Sequence, residues 1–136
     1  MFEAEREIEW GECDAMGIVF YPSFFKWMDA TFHAFTRSEG FDQSSLIQDN
    51  DLAGTPLVDA GCRFHRPGRF YDRLTIQVSV TKLGRSSLSL AYRFNIAGSV
   101  IAEGHEVRAF VVQKNGTVGK ADIPPAIRKK LEKHHV

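Results

Sequence analysis

Hydrophobic and polar residues alternate along several segments with the period of two that is typical of half-buried β-strands. The first segment places glutamates on one face and apolar residues, including Trp10, on the other, and Arg6 interrupts the apolar face. The clearest two segments are separated by Gly84-Arg85 and predict a β-hairpin. The predicted strands are residues 2–10, 56–67, 74–81, 87–96 and 100–113.

One segment has the pattern of a helix. Pro22 suits the first turn of a helix and Ser23 suits a cap, so a helix is predicted over about residues 22–38. Its apolar residues cover most of the circumference, which is normal for a helix enclosed by other elements. Shorter helices are predicted over residues 43–50 and after Pro124.

The order of these elements is a strand, a long apolar helix, and four further strands in an antiparallel meander. A single helix that is apolar on most sides must be covered by the sheet. The pattern therefore predicts an α+β fold in which a curved antiparallel β-sheet wraps around one long central helix. The length fits a single domain over residues 1–136.

Charge and composition exclude several classes of function. Lys and Arg total 17, equal to Asp and Glu, and this balance disfavours nucleic-acid binding. No apolar stretch approaches the roughly 20 residues of a membrane span, and residues 1–6 lack the apolar core of a signal peptide. The two cysteines do not form a disulfide scaffold. We expect a cytoplasmic protein with no membrane partner, whose zero net charge is compatible with self-association.

The segment WGECDAMGIVFYP, residues 10–22, resembles the signature of the 4-hydroxybenzoyl-CoA thioesterase family. In that signature an aspartate precedes a glycine, apolar residues and an aromatic pair that leads into a helix. GTPLV at residues 54–58 resembles a second family segment, and GRSS at residues 84–87 falls where the family often carries a basic turn that contacts CoA. The resemblance implies a hotdog fold and a dimer or dimer of dimers with active sites between subunits. Tyr21 stands where related short-chain acyl-CoA thioesterases usually carry His, and so favours an aryl-CoA substrate.

The resemblance implies catalytic roles for Asp14, Gly17 and Tyr21. Thioester hydrolysis needs an attacking oxygen, and Asp14 either attacks directly or deprotonates a water; both routes remain open. The N–H of Tyr21, at a helix N-terminus, is the implied donor to the oxyanion. Gly17 lets the loop turn tightly. The reaction needs no metal or organic cofactor.

Further residues are candidates for substrate binding. The phosphates of CoA require local positive charge, and arginine suits bidentate phosphate contacts. A carboxylate in the middle of an apolar helix contacts substrate or a partner subunit, or is solvated, or forms a simple ion pair. The candidates are Asp29 in the helix, Thr55 at the acyl pocket or in a simple turn, and Lys82, Arg85 and Ser86 at the hairpin, with a second basic cluster at Arg63, Arg66 and Arg69.

Several residues also have simpler interpretations. Asp14 suits a turn, as aspartates often do. Cys13 is interpreted as structural, because acidic neighbours oppose the low pKa that a nucleophilic thiol needs. The sequence predicts a polar strand face at Glu103, His105 and Glu106, and solvent-exposed side chains at His134 and His135.

Two alternatives to a thioesterase stay open. The same pocket suits a binding module that holds an acyl-CoA or aromatic ligand without turnover. A hotdog hydratase or dehydratase is the second alternative, but such enzymes usually pair a histidine with a carboxylate. The loop over residues 11–21 contains no histidine, which disfavours this alternative.

Overall fold

The computed structural model describes residues 1–136 and shows a five-stranded antiparallel sheet packed on a long helix, with a separate two-stranded hairpin. This confirms the predicted α+β class. The strands are β1 (Phe2–Glu7), β2 (Leu57–Phe64), β3 (Arg73–Leu83), β4 (Ser87–Ile96), β5 (Ser99–Ala109), β6 (Val111–Lys114) and β7 (Thr117–Lys120), and the helices are α1 (Pro22–Ser38), α2 (Gln43–Asn50) and α3 (Pro125–Glu132).

The strand order of the sheet is β1-β3-β4-β5-β2. The predicted four-strand meander is therefore wrong, because only β3, β4 and β5 follow one another across the sheet and β2 pairs with β5. Alternation indicates which face of a strand is buried but does not identify its neighbour. The segment predicted as one strand over residues 100–113 is two strands, since β5 ends at Ala109 and the buried Phe110 donates its N–H to the Ser86 carbonyl at 2.7 Å.

The core lies between α1 and the inward face of the sheet. The helix contributes large side chains that are almost fully buried, and alternate residues of β3 and β4 meet them in one cluster. Each such side chain contributes roughly 1.5–3 kcal/mol through burial. Gly104 of β5 lets the helix lie close to the sheet, because a Cβ there would overlap Met28 Sδ.

A buried polar network crosses the core. Glu106 and Arg108 of β5 both point inward, so the prediction that Glu106 belongs to a polar surface face is wrong. The Tyr92 hydroxyl donates to Glu106 Oε1 at 2.6 Å, and Arg108 Nε donates to the same oxygen at 3.1 Å. Arg108 Nη2 reaches Asp29 Oδ1 at 2.9 Å, and the guanidinium lies 4.0 Å from the centre of the Phe32 ring. These contacts compensate for the burial of both charges.

The two ends of the chain differ from their sequence-based predictions. β1 ends at Glu7, and Trp10 begins a 3₁₀ turn in which its side chain is 64% exposed and packs edge-on against Phe70. His134 is not a free solvent group, because its Nε2 lies 2.6 Å from Glu39 Oε1 and its ring packs edge-on against Phe35. No helix of the structure is both long enough and apolar enough to cross a membrane.

Candidate active site

The loop between β1 and α1 holds Asp14 in a tight turn. The Asp14 N–H donates to the Ile18 carbonyl at 2.8 Å, and the Gly17 N–H donates to the Asp14 carbonyl at 2.9 Å. Gly17 has a φ of +78°, in the left-handed region that glycine adopts without strain. The Met16 N–H donates to Asp14 Oδ1 at 2.8 Å, and Oδ2 has no hydrogen-bond partner in the chain. The turn orients the carboxylate and leaves one oxygen free.

The N-terminus of α1 offers one free backbone donor beside this loop. The Ser23 N–H donates to the Phe20 carbonyl at 2.9 Å, and the Phe24 N–H donates to the Tyr21 carbonyl at 3.2 Å. Pro22 has no N–H, and the N–H of Tyr21 has no acceptor in the chain. The partial positive charge of the helix N-terminus adds to this donor. The free N–H therefore lies at Tyr21, the residue for which the family resemblance implies a donor role.

Asp14 and Tyr21 both line one cleft of about 570 Å³. This volume lies within the usual range of small-molecule sites. Four of the eleven lining residues are Phe or Tyr, and part of the lining comes from the end of β2 and the residues that follow it. Side chains of these walls include Phe20, Tyr21, Phe24, Phe64, His65 and Arg66.

His65 and Arg66 line the cleft, although neither is among the site residues predicted from the sequence. The sequence places Arg66 in a basic cluster with Arg63 and Arg69 and gives His65 no role. His65 Nε2 lies 3.0 Å from Glu103 Oε2, and Arg66 makes no ion pair within the chain. No local signal links the end of β2 to Asp14, because their common position at the cleft depends on how the chain returns across the core. The predicted strand over residues 56–67 includes both residues, whereas β2 ends at Phe64 and leaves them just beyond its end.

The proposed substrate-binding residues do not line this cleft within one chain. Asp29 is 55% exposed and pairs with the buried Arg108. Thr55 is buried and borders a separate small cavity. Lys82 lies near the end of β3, and Arg85 and Ser86 lie in the turn between β3 and β4. There Arg85 Nε forms an ion pair with Asp122 Oδ1 at 2.7 Å.

The cysteines do not have the properties of nucleophiles. Burial raises the pKa of the Cys13 thiol, and the negative charges of Asp14 and Glu12 raise it further. Burial raises the pKa of Cys62 to about 11. Both thiols are therefore protonated at neutral pH, in agreement with the structural interpretation of Cys13. No group of three or more His, Cys, Asp or Glu side chains is arranged to hold a metal ion.

Comparison with known proteins finds relatives that are named as hydrolases of CoA thioesters. Residues 8–131 match the model of the Thioesterase-like superfamily. The chain is 25% identical to 4-hydroxybenzoyl-CoA thioesterase of Pseudomonas sp. strain CBS-3 over 126 residues, covering 88% of this chain and 89% of that protein. It is 28% identical to 1,4-dihydroxy-2-naphthoyl-CoA hydrolase of Synechococcus elongatus, covering 69% of each.

Solved structures agree with these relatives. A gentisyl-coenzyme A thioesterase superposes with a TM-score of 0.82 at 38% identity, over 93% of this chain and 99% of that one. A 4-hydroxybenzoyl-CoA thioesterase with an aspartate-to-asparagine substitution, in complex with 4-hydroxybenzoyl-CoA, superposes with a TM-score of 0.88 over 96% of this chain and 97% of that one. Its 21% identity supports the fold alone. The chain therefore belongs to the Thioesterase-like superfamily, and the prediction of a hotdog-fold thioesterase is confirmed.

Proposed function

We propose that this protein hydrolyses the thioester bond of an aryl-CoA, such as a hydroxybenzoyl-CoA, with Asp14 as its catalytic carboxylate. The observation that carries the proposal is the shared cleft of Asp14 and Tyr21. A free carboxylate oxygen and a free backbone N–H at a helix N-terminus are the two groups that thioester hydrolysis requires. The simpler interpretation of Asp14 as a turn residue does not account for the cleft beside it.

Two routes fit these groups. In the first, Asp14 Oδ2 attacks the carbonyl carbon and CoA leaves as a thiolate, giving a mixed anhydride that water cleaves to the acid. In the second, Asp14 takes a proton from water, the water oxygen attacks, and the departing thiolate recovers that proton. Both give one carboxylic acid and one thiol from thioester and water. In both, the Tyr21 N–H stabilises the oxyanion, a contribution of about 3–4 kcal/mol for one such donor.

The cleft walls support an aromatic acyl group. Phe20, Phe24 and Phe64 present rings toward the space beside Asp14, and aromatic pairs gain roughly 0.5–1.5 kcal/mol beyond burial. The similar proteins are named for gentisyl-, 4-hydroxybenzoyl- and 1,4-dihydroxy-2-naphthoyl-CoA, which are all aryl thioesters.

A homo-oligomer with sites between subunits would bring the remaining candidates to the cleft. β2 forms one edge of the sheet, with one side unpaired, and carries Leu57, Val58 and Phe64, which are 48%, 64% and 48% exposed. An exposed apolar edge strand favours pairing with another chain. We propose that a partner's turn around Arg85 then binds the phosphates of CoA, aided by Lys82 and Ser86. We propose that Asp29 and Thr55 of the partner also reach the substrate in this cleft across the interface between subunits.

We also propose that the protein is cytoplasmic. Both Cys13 and Cys62 are free thiols. Free thiols suit a compartment that keeps cysteines reduced.

Thiol release from a panel of aryl- and alkyl-CoA esters tests the proposal. We expect turnover that is fastest with aryl esters, and Asp14→Asn should lower kcat by roughly 10²–10⁴-fold, the range for loss of a general base. Asp42→Asn is the matched control. Asp42 also accepts a backbone N–H through Oδ1, from Ser45 at 2.9 Å, but it caps α2 outside the cleft.

Each contrary outcome has a definite meaning. Tight binding of the esters with no thiol release would identify a binding module. Addition of water to an enoyl-CoA, again with no thiol release, would identify a hydratase. Unchanged kcat in Asp14→Asn would remove Asp14 from the mechanism.

A further inference from the structure

Glu12 makes an unusual number of contacts next to the cleft. Its carboxylate accepts hydrogen bonds from Arg6 Nη2 at 2.7 Å, from Trp27 Nε1 at 2.7 Å and from the Glu9 N–H at 2.8 Å. The three donors lie in β1, in α1 and in the loop itself, and the side chain of Glu12 is only 12% exposed. Charge-assisted hydrogen bonds of this length are the strong kind. The carboxylate therefore ties the loop to both the sheet and the helix.

The backbone of Glu12 ties together the two ends of the same loop. Its carbonyl accepts the Phe20 N–H at 2.9 Å and the Ser23 hydroxyl at 2.9 Å. Asp14 follows Glu12 by two positions, and Tyr21 lies between Phe20 and Ser23. Residue 12 thus connects the segment that carries the carboxylate to the segment that carries the free N–H.

We infer that Glu12 is a positioning residue, which sets the distance and angle between the Asp14 carboxylate and the Tyr21 N–H. This inference rests on the proposed function. Attack on a thioester and capture of its oxyanion need both groups in one fixed geometry around a single carbon. A displacement of about 1 Å costs on the order of 10²-fold in rate. Glu12 does not line the cleft, so it acts through the loop and not on the substrate.

Glu12→Gln is the direct test. An amide has nearly the same shape but replaces one acceptor oxygen with an NH₂ group. In either orientation that group faces N–H donors, so the network opens without a large change in volume. We expect kcat to fall about 10–100-fold with KM changed by less than about 3-fold, because geometry in the transition state is lost and ground-state binding is kept.

Glu39→Gln is the matched control for this variant. Glu39 is 13% exposed and pairs with His134 and Lys133. It follows the C-terminal end of α1, whereas Glu12 contacts the N-terminal half of the helix. If Glu12 only stabilises the fold, both variants lose Tm and both keep kcat at temperatures where they are folded. Equal kcat values in the two variants would overturn the inference.

Ser23→Ala keeps the inference testable if Glu12→Gln does not fold. It removes only the hydroxyl that donates to the Glu12 carbonyl, and we expect a 2–10-fold fall in kcat with KM unchanged. Ser38→Ala at the other end of α1 removes a similar bond, to the Phe35 carbonyl at 2.6 Å, and should leave kcat unchanged. Equal kcat in Ser23→Ala and Ser38→Ala would also contradict the positioning role.

The proposed function and this inference fail in different ways. No thiol release from any ester by the wild type, or full activity of Asp14→Asn, would reject the proposed function. Wild-type turnover that depends on Asp14 but not on Glu12 or Ser23 would reject the positioning role alone.

Discussion

Two charged residues of this protein are buried in the core, where an uncompensated charge costs free energy. Arg108 and Glu106 are 3% and 1% exposed, and each is the other's main compensation. Burial of the phenol, and then the neighbouring Glu106, raise the pKa of Tyr92 well above its usual value, so Tyr92 remains a hydrogen-bond donor. Arg108 also reaches Asp29 Oδ1, and His33 Nε2 lies 3.5 Å from the same oxygen. Asp29 is thus held by one residue of the core and by one residue of its own helix.

Removing one member of this network should be strongly destabilising. In Arg108→Met, Glu106 keeps only the Tyr92 donor, and we expect the free energy of unfolding to fall by about 3–5 kcal/mol, as for other broken buried pairs. Urea unfolding measures this change. The double variant Arg108→Met with Glu106→Gln removes the unpaired charge and should recover part of the loss. A double variant as unstable as the sum of the two single variants would contradict the coupling.

Among the elements, α1 links the site to the rest of the fold. Its N-terminus supplies the Tyr21 donor, and its buried face holds the core together. Its C-terminal end meets the last residues of the chain, where Lys133 and His134 pair with Glu39. The Val136 N–H donates to the Val80 carbonyl at 3.0 Å and joins this segment to β3.

The stabilisation that Glu39 provides at the C-terminal end of α1, through His134 and Lys133, should depend on pH. Burial alone would raise the pKa of Glu39, but hydrogen bonds from His134 and Lys133 outweigh it and lower the pKa below its usual 4.5. A lowered pKa means that the stabilisation is complete above about pH 4.5 and is lost as the pH falls through the lower, folded value.

The free energy of unfolding, measured between pH 7 and pH 3, tests this contribution of Glu39. Glu39→Gln should be less stable than wild type by about 1–3 kcal/mol at pH 7, the range for hydrogen bonds to charged groups. The difference should shrink toward pH 3 as the wild type also becomes protonated. A difference that is constant with pH would show that Glu39 contributes through packing alone.

The whole molecule has a single buried core and an open sheet edge. The 24-residue core cluster includes residues of α1, α2, α3 and the sheet. One domain over residues 1–136 stays a prediction. The edge at β2 exposes apolar side chains close to the cleft, since Phe64 belongs to both. We propose that association of two chains at this edge completes the cleft and covers the apolar surface.

We expect the wild type to sediment above its chain mass of 15.3 kDa. Val58→Lys places a charge on the β2 edge and should shift the protein toward monomer, with a parallel loss of thioesterase activity. Val118→Lys is the matched control, because Val118 is 58% exposed on β7, outside the five-stranded sheet. A fully active monomeric wild type would reject a site shared between subunits.

The sequence determined the features that depend on neighbouring residues. The helix bounds, the hairpin strand over Ser87–Ile96 and the α+β class follow from local periodicity and turn residues. The proximity of Asp14 and Tyr21 could be predicted from the sequence, because they are only seven positions apart. Both lie within one loop and the helix start that follows it. Local geometry alone places them on one side of the molecule.

Only the tertiary structure decided which distant segments meet. It placed β2 beside β5 and brought Arg66 to the cleft that Asp14 also lines. It also turned Glu106 inward to Arg108 and Tyr92, and paired His134 with Glu39 across 95 positions of sequence. A polar residue in an alternating strand is assigned to the surface unless a partner is known, and that partner lies far along the chain. Such contacts depend on the free energy of packing the whole core, which the pattern of one segment does not contain.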